Sequence, residues 1–375
     1  MNTSDILETA VIIPAYKPDA RLIPYAQALK AAGVGKVVIV DDGSGEESRA
    51  VFDAIVQDEV VHILSYMPNG GKGVALKAGL RYVKDECPNQ RVIVTADADG
   101  QHTVEDVLRM CASMEENGEG LLLGSRDFSS ENVPPKSRTG NRITSVVFKL
   151  LYGRWVGDTQ TGLRAFTREL LPTMIAVKGN RYEYEMNVLI EMASLRLPMR
   201  PLPIETVYEN NNAGSHFRAF RDSARIYGVI FAGFIGFISS SAISFLVDYS
   251  LYLTFNTLLK RFAPALDHEF RFLLLSVLPR IAVATILARL ISGVVNFYLN
   301  RKLVFSDKTA AHKTFPRYVC VFFLIMLLSF ALTSSMHIWF GWNDNTAKIP
   351  VDIVLFFVSY WLQRKWVFRK STVLE

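Results

Sequence analysis

The chain has 375 residues, half of them hydrophobic, and a formal net charge of +5 at pH 7. Residues 1–225 hold 26 Lys and Arg against 29 Asp and Glu, whereas residues 226–375 hold 15 against 7. The positive balance therefore belongs to the more apolar part of a two-domain chain, and no basic stripe interleaved with aromatics points to nucleic acid.

Strand-like and helix-like patterns alternate over residues 9–126. Ala10–Pro14, Lys36–Asp42, Val60–Leu64, Arg91–Asp97 and Gly120–Arg126 read as strands, several of them continuous β-branched runs suited to burial on both faces. Helical patterns fill residues 20–32, 46–57, 72–85 and 103–116. This rhythm predicts a mostly parallel sheet with helices on both faces. Pro14-Ala15-Tyr16 follows the first strand where a dinucleotide-binding domain has G-x-G-x-x-G, which argues against NAD. Met1–Glu8 is polar and carries no apolar signal segment, so this domain is expected in the cytoplasm. Cys87, Cys111 and Cys320 match no disulfide framework or metal spacing and are expected as free thiols.

The fourth strand stops on Asp97 and Asp99, with Gln101 two residues beyond. Ligands of open α/β sheets gather past the carboxyl ends of the strands. Two carboxylates and an amide oxygen there make an all-oxygen site for Mg²⁺ or Mn²⁺. Further loops leave the same edge. Asp41-Asp42-Gly43-Ser44 offers carboxylates to a base or ribose, or else a helix N-cap through Ser44. Asn69-Gly70-Gly71-Lys72-Gly73 lacks the P-loop spacing, yet its glycines let backbone N–H groups approach a phosphate, with Lys72 as a point charge.

The segments VIIPAY, VVIVDDGS, NGGKGVAL and ADADGQH together resemble the family 2 glycosyltransferases with the GT-A nucleotide-sugar fold, over about residues 8–210. That resemblance implies that Asp42 and Asp97 hold the nucleoside, with Pro14, Tyr16 and Lys72 along the nucleotide sugar. It gives Asp97, Asp99 and Gln101 to the metal that bridges the diphosphate. Lys17 stands where the family usually has Asn or a similar polar residue. Gly124-Ser125-Arg126-Asp127, Pro134-Pro135-Lys136-Ser137-Arg138 with Arg142, and Asp158-Thr159-Gln160-Thr161-Gly162-Leu163-Arg164 narrow the resemblance. They are similar to the polyprenyl-phosphate sugar transferases, the group of the dolichyl-phosphate mannose synthases. In that group an arginine after the fifth strand and another in the following loop hold the acceptor phosphate. Those roles fall on Arg126 and Arg138, with Ser137 and Arg142 beside them; solvated loop charge is the other reading of Arg138 and Arg142. Gln160, Arg164 and Glu185 are candidates for the sugar pocket. Processive synthases of this fold use Q-x-x-R-W, whereas Gln363-Arg364-Lys365-Trp366 has the wrong spacing, so a single transfer is favoured.

Four apolar runs follow: Ile226–Leu259, Phe272–Leu299, Tyr318–Phe340, and Ile349–Trp361 extended to Val367. A span needs about 20 such residues. The expected domains are a GT-A domain at 1–214, an amphipathic juxtamembrane helix at 215–228 and four transmembrane helices at 229–370. Asn296–Phe305 and Ser359–Phe368 echo one another 63 residues apart, which predicts duplicated hairpins of like orientation. Arg301-Lys302 and Arg364-Lys365 then share a side, cytoplasmic by the positive-inside rule, with both termini inside. Asn300-Arg301-Lys302-Leu303-Val304-Phe305 resembles the N-R-x-x-V-F pattern of the GtrA-like four-helix domain. Asp248, Arg280, Arg289 and Asp352 are ionisable groups inside the runs; Asp248 and Arg289 are expected to pair, or Arg289 to meet a lipid phosphate, and Arg280 to sit at an interface.

The expected fold is α/β, a GT-A (Rossmann-like) mostly parallel sheet followed by an all-α four-helix transmembrane domain. The expected activity is inverting, metal-dependent transfer from a nucleotide-diphosphate sugar to undecaprenyl or dolichyl phosphate. The rival is a lipid-linked-sugar translocator with a soluble binding module. A homo-oligomer is compatible with so small a bundle.

Overall fold

The computed structural model describes residues 6–128, 135–205, 219–267, 270–272, 275–277, 279–305, 307, 309–340 and 344–368. The chain divides into two compact units, one reaching to Ile230 and one beginning at Phe231.

In the first unit the strands are β1 (Thr9–Ala15), β2 (Lys36–Asp41), β3 (Val61–Ser65), β4 (Val92–Thr95), β5 (Leu121–Arg126), β6 (Arg164–Thr167) and β7 (Met199–Ile204). Between them lie α1 (Leu22–Ala31), α2 (Arg49–Asp53), α3 (Lys72–Glu86), α4 (Val104–Asn117), α5 (Pro135–Tyr152), α6 (Leu171–Ala176) and α7 (Glu183–Leu195). One sheet runs β3-β2-β1-β4-β6-β5-β7, parallel except for β6, which opposes both β4 and β5. Its core is the β-branched runs themselves: Ile12, Ile13, Ile39 and Ile93 are fully buried. Burying such a side chain contributes roughly 1.5–3 kcal/mol.

The five expected strands are present. β6 and β7 are additions that the hydrophobic pattern hides. Four residues make β6 too short to show a period, and Pro201 and Pro203 interrupt β7. Proline lacks the N–H that a central strand must donate, so it is tolerated at an edge, and β7 is an edge strand. From β1 the order runs outward through β2 to β3, and the chain then returns to the other side of β1 as β4. A crevice opens at the carboxyl ends of β1 and β4, where the connections diverge.

α8 (Ala219–Phe262) is one helix of 44 residues. Residues 219–228, expected in a separate surface helix, are its first turns, and 215–218 lie outside the described residues. Phe272 and Leu275 pair across the short strands β8 (Phe270–Phe272) and β9 (Leu275–Val277) instead of opening the second span. That span starts at Pro279 as α9 (Pro279–Leu299), since proline is at home in the first turn of a helix and disruptive further in. α10 (Ala311–Phe340) and α11 (Asp344–Leu362) follow. Among the described residues, three segments are long and apolar enough to cross a membrane: Arg221–Phe262, Pro279–Val304 and Ala311–Ser329.

α9 and α11 each run into a π-helical turn, Asn300–Val304 and Gln363–Val367. Asn300 Nδ2 donates to Gln363 Oε1 at 3.0 Å, and Phe305 stacks on Phe368 with ring centres 5.0 Å apart. Both pairs join residues 63 apart in the chain. The sequence echo is thus realised as contacts between equivalent positions of two repeats.

Candidate active site

A cleft of about 510 Å³ lies at the crevice, and Pro14, Tyr16, Asp42, Lys72, Asp97 and Asp99 are among its lining residues. Asp42, just past β2, is 2% exposed. Its carboxylate accepts from Tyr66 Oη at 2.6 Å, Asn69 Nδ2 at 2.9 Å, and the backbone N–H groups of Gly70 and Gly71, each at 2.8 Å. On sequence alone those two N–H groups are aimed at a phosphate; in the structure they point at a carboxylate of the protein. Asp42 therefore shapes the glycine loop as well as lining the cleft.

Asp97 lies two residues beyond β4. Lys72 Nζ stands 2.7 Å from Asp97 Oδ1 and 3.1 Å from Glu185 Oε1, and His102 Nε2 lies 3.5 Å from Asp97 Oδ2. Burial disfavours ionisation of Asp97, yet the Lys72 ammonium, aided by His102, holds its carboxyl well below the usual range. Burial likewise opposes the Lys72 charge, and Asp97 with Glu185 more than restores it. Asp99 goes the other way: burial, and then the charge of Asp97, lift its carboxyl above the usual range. Two carboxylates in one turn, the second disfavoured by the first, suit a hard divalent cation that offsets their repulsion. Among the described residues no three His, Cys, Asp or Glu gather as a metal cluster. The donor set is instead the carboxylate pair, with Gln101 at the end of the turn, its N–H bonded to Asp99 Oδ1 at 3.1 Å.

The Asp158–Arg164 loop reaches the same point. Thr95 Oγ1 donates to the Gly162 carbonyl at 2.8 Å, and a Cβ at position 162 would overlap the Asp97 carboxylate. Only glycine permits that approach. Arg164 is 4% exposed; its Nε donates to the Thr161 carbonyl at 3.0 Å and its Nη1 to the Glu185 carbonyl at 2.8 Å. Gln160 is exposed, with its N–H on Asp158 Oδ1 at 3.0 Å.

Arg126 closes β5, and its Nε and Nη2 donate to Asp158 Oδ2 and Oδ1 at 2.7 and 3.0 Å, a bidentate fork on a buried carboxylate. Asp158 is a partner that its place in the loop motif did not disclose. Arg138 and Arg142, read from the sequence as loop residues, stand one turn apart on the exposed side of α5 and do not line the cleft. The Ser137 side chain lies outside the described residues. The cleft also takes in Arg181 and Tyr182 before α7, and Arg221, Asp222 and Arg225 from the first turns of α8. Residues 221–225 show in the sequence only as part of an amphipathic basic stretch, and nothing local marks Arg181.

A second cavity, of about 1350 Å³, lies within the other unit, with Asp248, Arg289, Asn296, Tyr318 and Gln363 in its wall. Arg289 Nε is 3.6 Å from Asp248 Oδ1, the expected pair, and Ser292 Oγ donates to the same oxygen at 2.9 Å. Asn300 Nδ2 donates to Asn296 Oδ1 at 2.9 Å, as does Tyr318 Oη at 2.8 Å, which continues a polar ladder through apolar helices. Arg280 bonds Asn256, and Asp352 accepts from Ser329.

The cleft thus sits at the switch point of a mostly parallel α/β sheet, in a chain that continues into helices apolar enough to cross a membrane. Residues 10–174 match the model of Glycosyl transferase family 2, and residues 236–368 match that of the GtrA/DPMS transmembrane domain. The chain belongs to glycosyl transferase family 2. An uncharacterized protein of Methanocaldococcus jannaschii is 31% identical over 205 residues, 54% of this chain and 82% of that one. The UDP-N-acetylglucosamine–dolichyl-phosphate N-acetylglucosaminyltransferase of Methanococcus voltae is 27% identical over 215 residues, 53% of this chain and 85% of that one. Among solved structures, glucosyl-3-phosphoglycerate synthase of Mycobacterium tuberculosis aligns with a TM-score of 0.45 at 16% identity, covering 59% of this chain and 77% of that one.

Proposed function

We propose that the chain transfers a sugar from a nucleotide-diphosphate donor in the cleft to the phosphate of a membrane polyprenyl lipid, undecaprenyl or dolichyl phosphate. The observation that carries this reading is the Asp97–Asp99 pair beside Lys72 at the switch point of the sheet, in a cleft of about 510 Å³. Small-molecule sites usually measure about 300–1,000 Å³. The dolichyl phosphate in the name of the M. voltae relative supports the acceptor class.

The acceptor phosphate has a second pKa of about 6 and is largely dianionic at neutral pH. Its oxygen attacks the anomeric carbon without a protein base. The new C–O bond forms as the bond to the diphosphate breaks, and attack from the opposite face inverts the anomeric centre. Mg²⁺ or Mn²⁺ held by Asp97, Asp99 and Gln101 would supply charge compensation for the departing diphosphate. Lys72 fixes the ionised Asp97 in place. Arg126, aimed by Asp158, receives the acceptor phosphate through charge-assisted hydrogen bonds, and Arg138 with Arg142 and Ser137 would meet it on α5, outside the cleft, as it approaches. Ile143, Val146 and Leu150 are exposed on α5 beside those arginines. Basic and apolar residues so mixed suit a helix lying on lipid headgroups, which supports delivery of the acceptor to that face. Gln160, Arg164 and Glu185 shape the sugar side, the last from behind Lys72. The catalytic unit and both termini are cytoplasmic, a reading supported by Arg301-Lys302 and Arg364-Lys365 closing equivalent repeats.

Purified full-length protein, given a panel of labelled nucleotide sugars, Mg²⁺ or Mn²⁺ and a short polyprenyl phosphate, should move label into organic solvent. An unlabelled organic phase across the whole panel contradicts the reading. The cavity of about 1350 Å³ with its Asp248–Arg289 pair favours a second role, translocation of the lipid-linked sugar. Full-length protein in vesicles should then carry a preformed lipid-linked sugar between leaflets faster than empty vesicles, and equal rates would exclude it.

A further inference from the structure

We infer that Arg181, Arg221 and Arg225 form a cationic clamp for the diphosphate of the donor, so that the first turns of α8 are part of the catalytic cleft. The inference rests on the nucleotide-sugar reading above and deepens it.

A phosphate beside a glycine-rich turn at a helix start is ordinarily met by free N–H groups and a nearby cation. Here the N–H groups of Gly70, Gly71 and Val74 and the Lys72 ammonium are engaged. Gly70 and Gly71 donate to Asp42, Val74 donates to the Gly71 and Asn180 carbonyls, and Lys72 sits between Asp97 and Glu185. Of the other cations lining the cleft, Arg21 is paired with Asp19 at 2.6 Å and Lys17 with Glu47. Arg181, Arg221 and Arg225 remain.

Among the described residues neither the Arg181 nor the Arg221 guanidinium has a carboxylate partner; Arg181 meets Glu183 Oε1 through its backbone N–H alone, at 3.2 Å. Arg225 Nη1 makes a long contact, 3.4 Å, with Asp222, whose side chain is buried and orients it, and its charge is also felt by the Glu183 carboxylate. The stem of Arg181 crosses Gly71, where a Cβ would overlap Arg181 Cγ, so this side chain is held against the Lys72 loop. Three guanidinium groups from two separate elements thus face the cleft that contains the Asp97–Asp99 pair. Their planar forks match the oxygens of a diphosphate, which gains negative charge as the sugar leaves. The Asp97–Asp99 pair would hold a cation for that group, and the arginines would add their positive charge from the same cleft.

The test measures affinity of full-length protein in lipid nanodiscs for uridine, guanosine and thymidine mono- and diphosphates, without acceptor. For the base that binds, wild type should prefer the diphosphate. Arg181→Gln and Arg221→Gln should each lower diphosphate affinity by about tenfold to a hundredfold, the loss of one charge-assisted hydrogen bond, and leave monophosphate affinity unchanged. Arg221→Lys should recover part of the loss, and the KM for the lipid should not move. Equal loss for mono- and diphosphate, unchanged affinities, or an effect confined to the lipid KM overturns the clamp while the nucleotide reading stands. Failure of the wild type to bind any of these nucleotides overturns both.

Discussion

At position 162 a hydrogen stands where any other residue would press a Cβ into the Asp97 carboxylate. Gly162→Ala should therefore cost transfer about a hundredfold, the usual order for a misplaced reacting group, with the circular dichroism melting midpoint nearly unchanged. A matching loss of melting midpoint would make the position structural. Asp158 is buried and takes the Arg126 fork, so Asp158→Asn leaves a guanidinium without its counter-charge. Breaking such a pair costs about 3–5 kcal/mol, and chemical denaturation of the variant should register it together with a raised acceptor KM. A loss under about 1 kcal/mol would mark the pair as solvated. At this scale legibility follows distance along the chain. Asp97, Asp99 and Gln101 stand together in one turn and declare their chemistry. Asp158 stands in the loop motif without disclosing its partner, and Arg181 and Arg225 reach the site only through folding, with no local pattern to separate them from surface charge.

Elements were legible where burial imposed a composition. β1, β2 and β4 are covered on both faces, so their β-branched runs stand out. β6 lies between β4 and β5 with four residues, and its antiparallel course follows from tertiary pairing that no run of residues announces. α5 was hidden by the prolines and charges at its start, although from Arg138 onward its inner face buries Asn141, Thr144, Ser145 and Phe148. In the bundle the repeat could be read because duplication preserved Asn300 and Gln363 as partners. A double-mutant cycle with Asn300→Ala and Gln363→Ala, followed by unfolding in mixed micelles, should return a coupling of about 0.6–1.7 kcal/mol. Zero coupling would show that the two repeats do not lean on this contact.

The molecule joins an α/β catalytic architecture and an apolar helical one in a single chain, and the divide in charge and hydropathy marks this in the sequence. The point where the catalytic residues end was less visible, because the first turns of α8 line the cleft while the same helix continues into an apolar segment. The central claim is that Asp97 and Asp99 hold a cation against the diphosphate of a sugar donor whose acceptor is a lipid phosphate. The most direct measurement is transfer of labelled sugar to a short polyprenyl phosphate by full-length protein, with and without chelator, beside Asp99→Ala. Transfer should stop in chelator, return with Mn²⁺ or Mg²⁺, and be absent from the variant although it still inserts into membranes. Undiminished transfer in chelator, or by Asp99→Ala, would contradict the account.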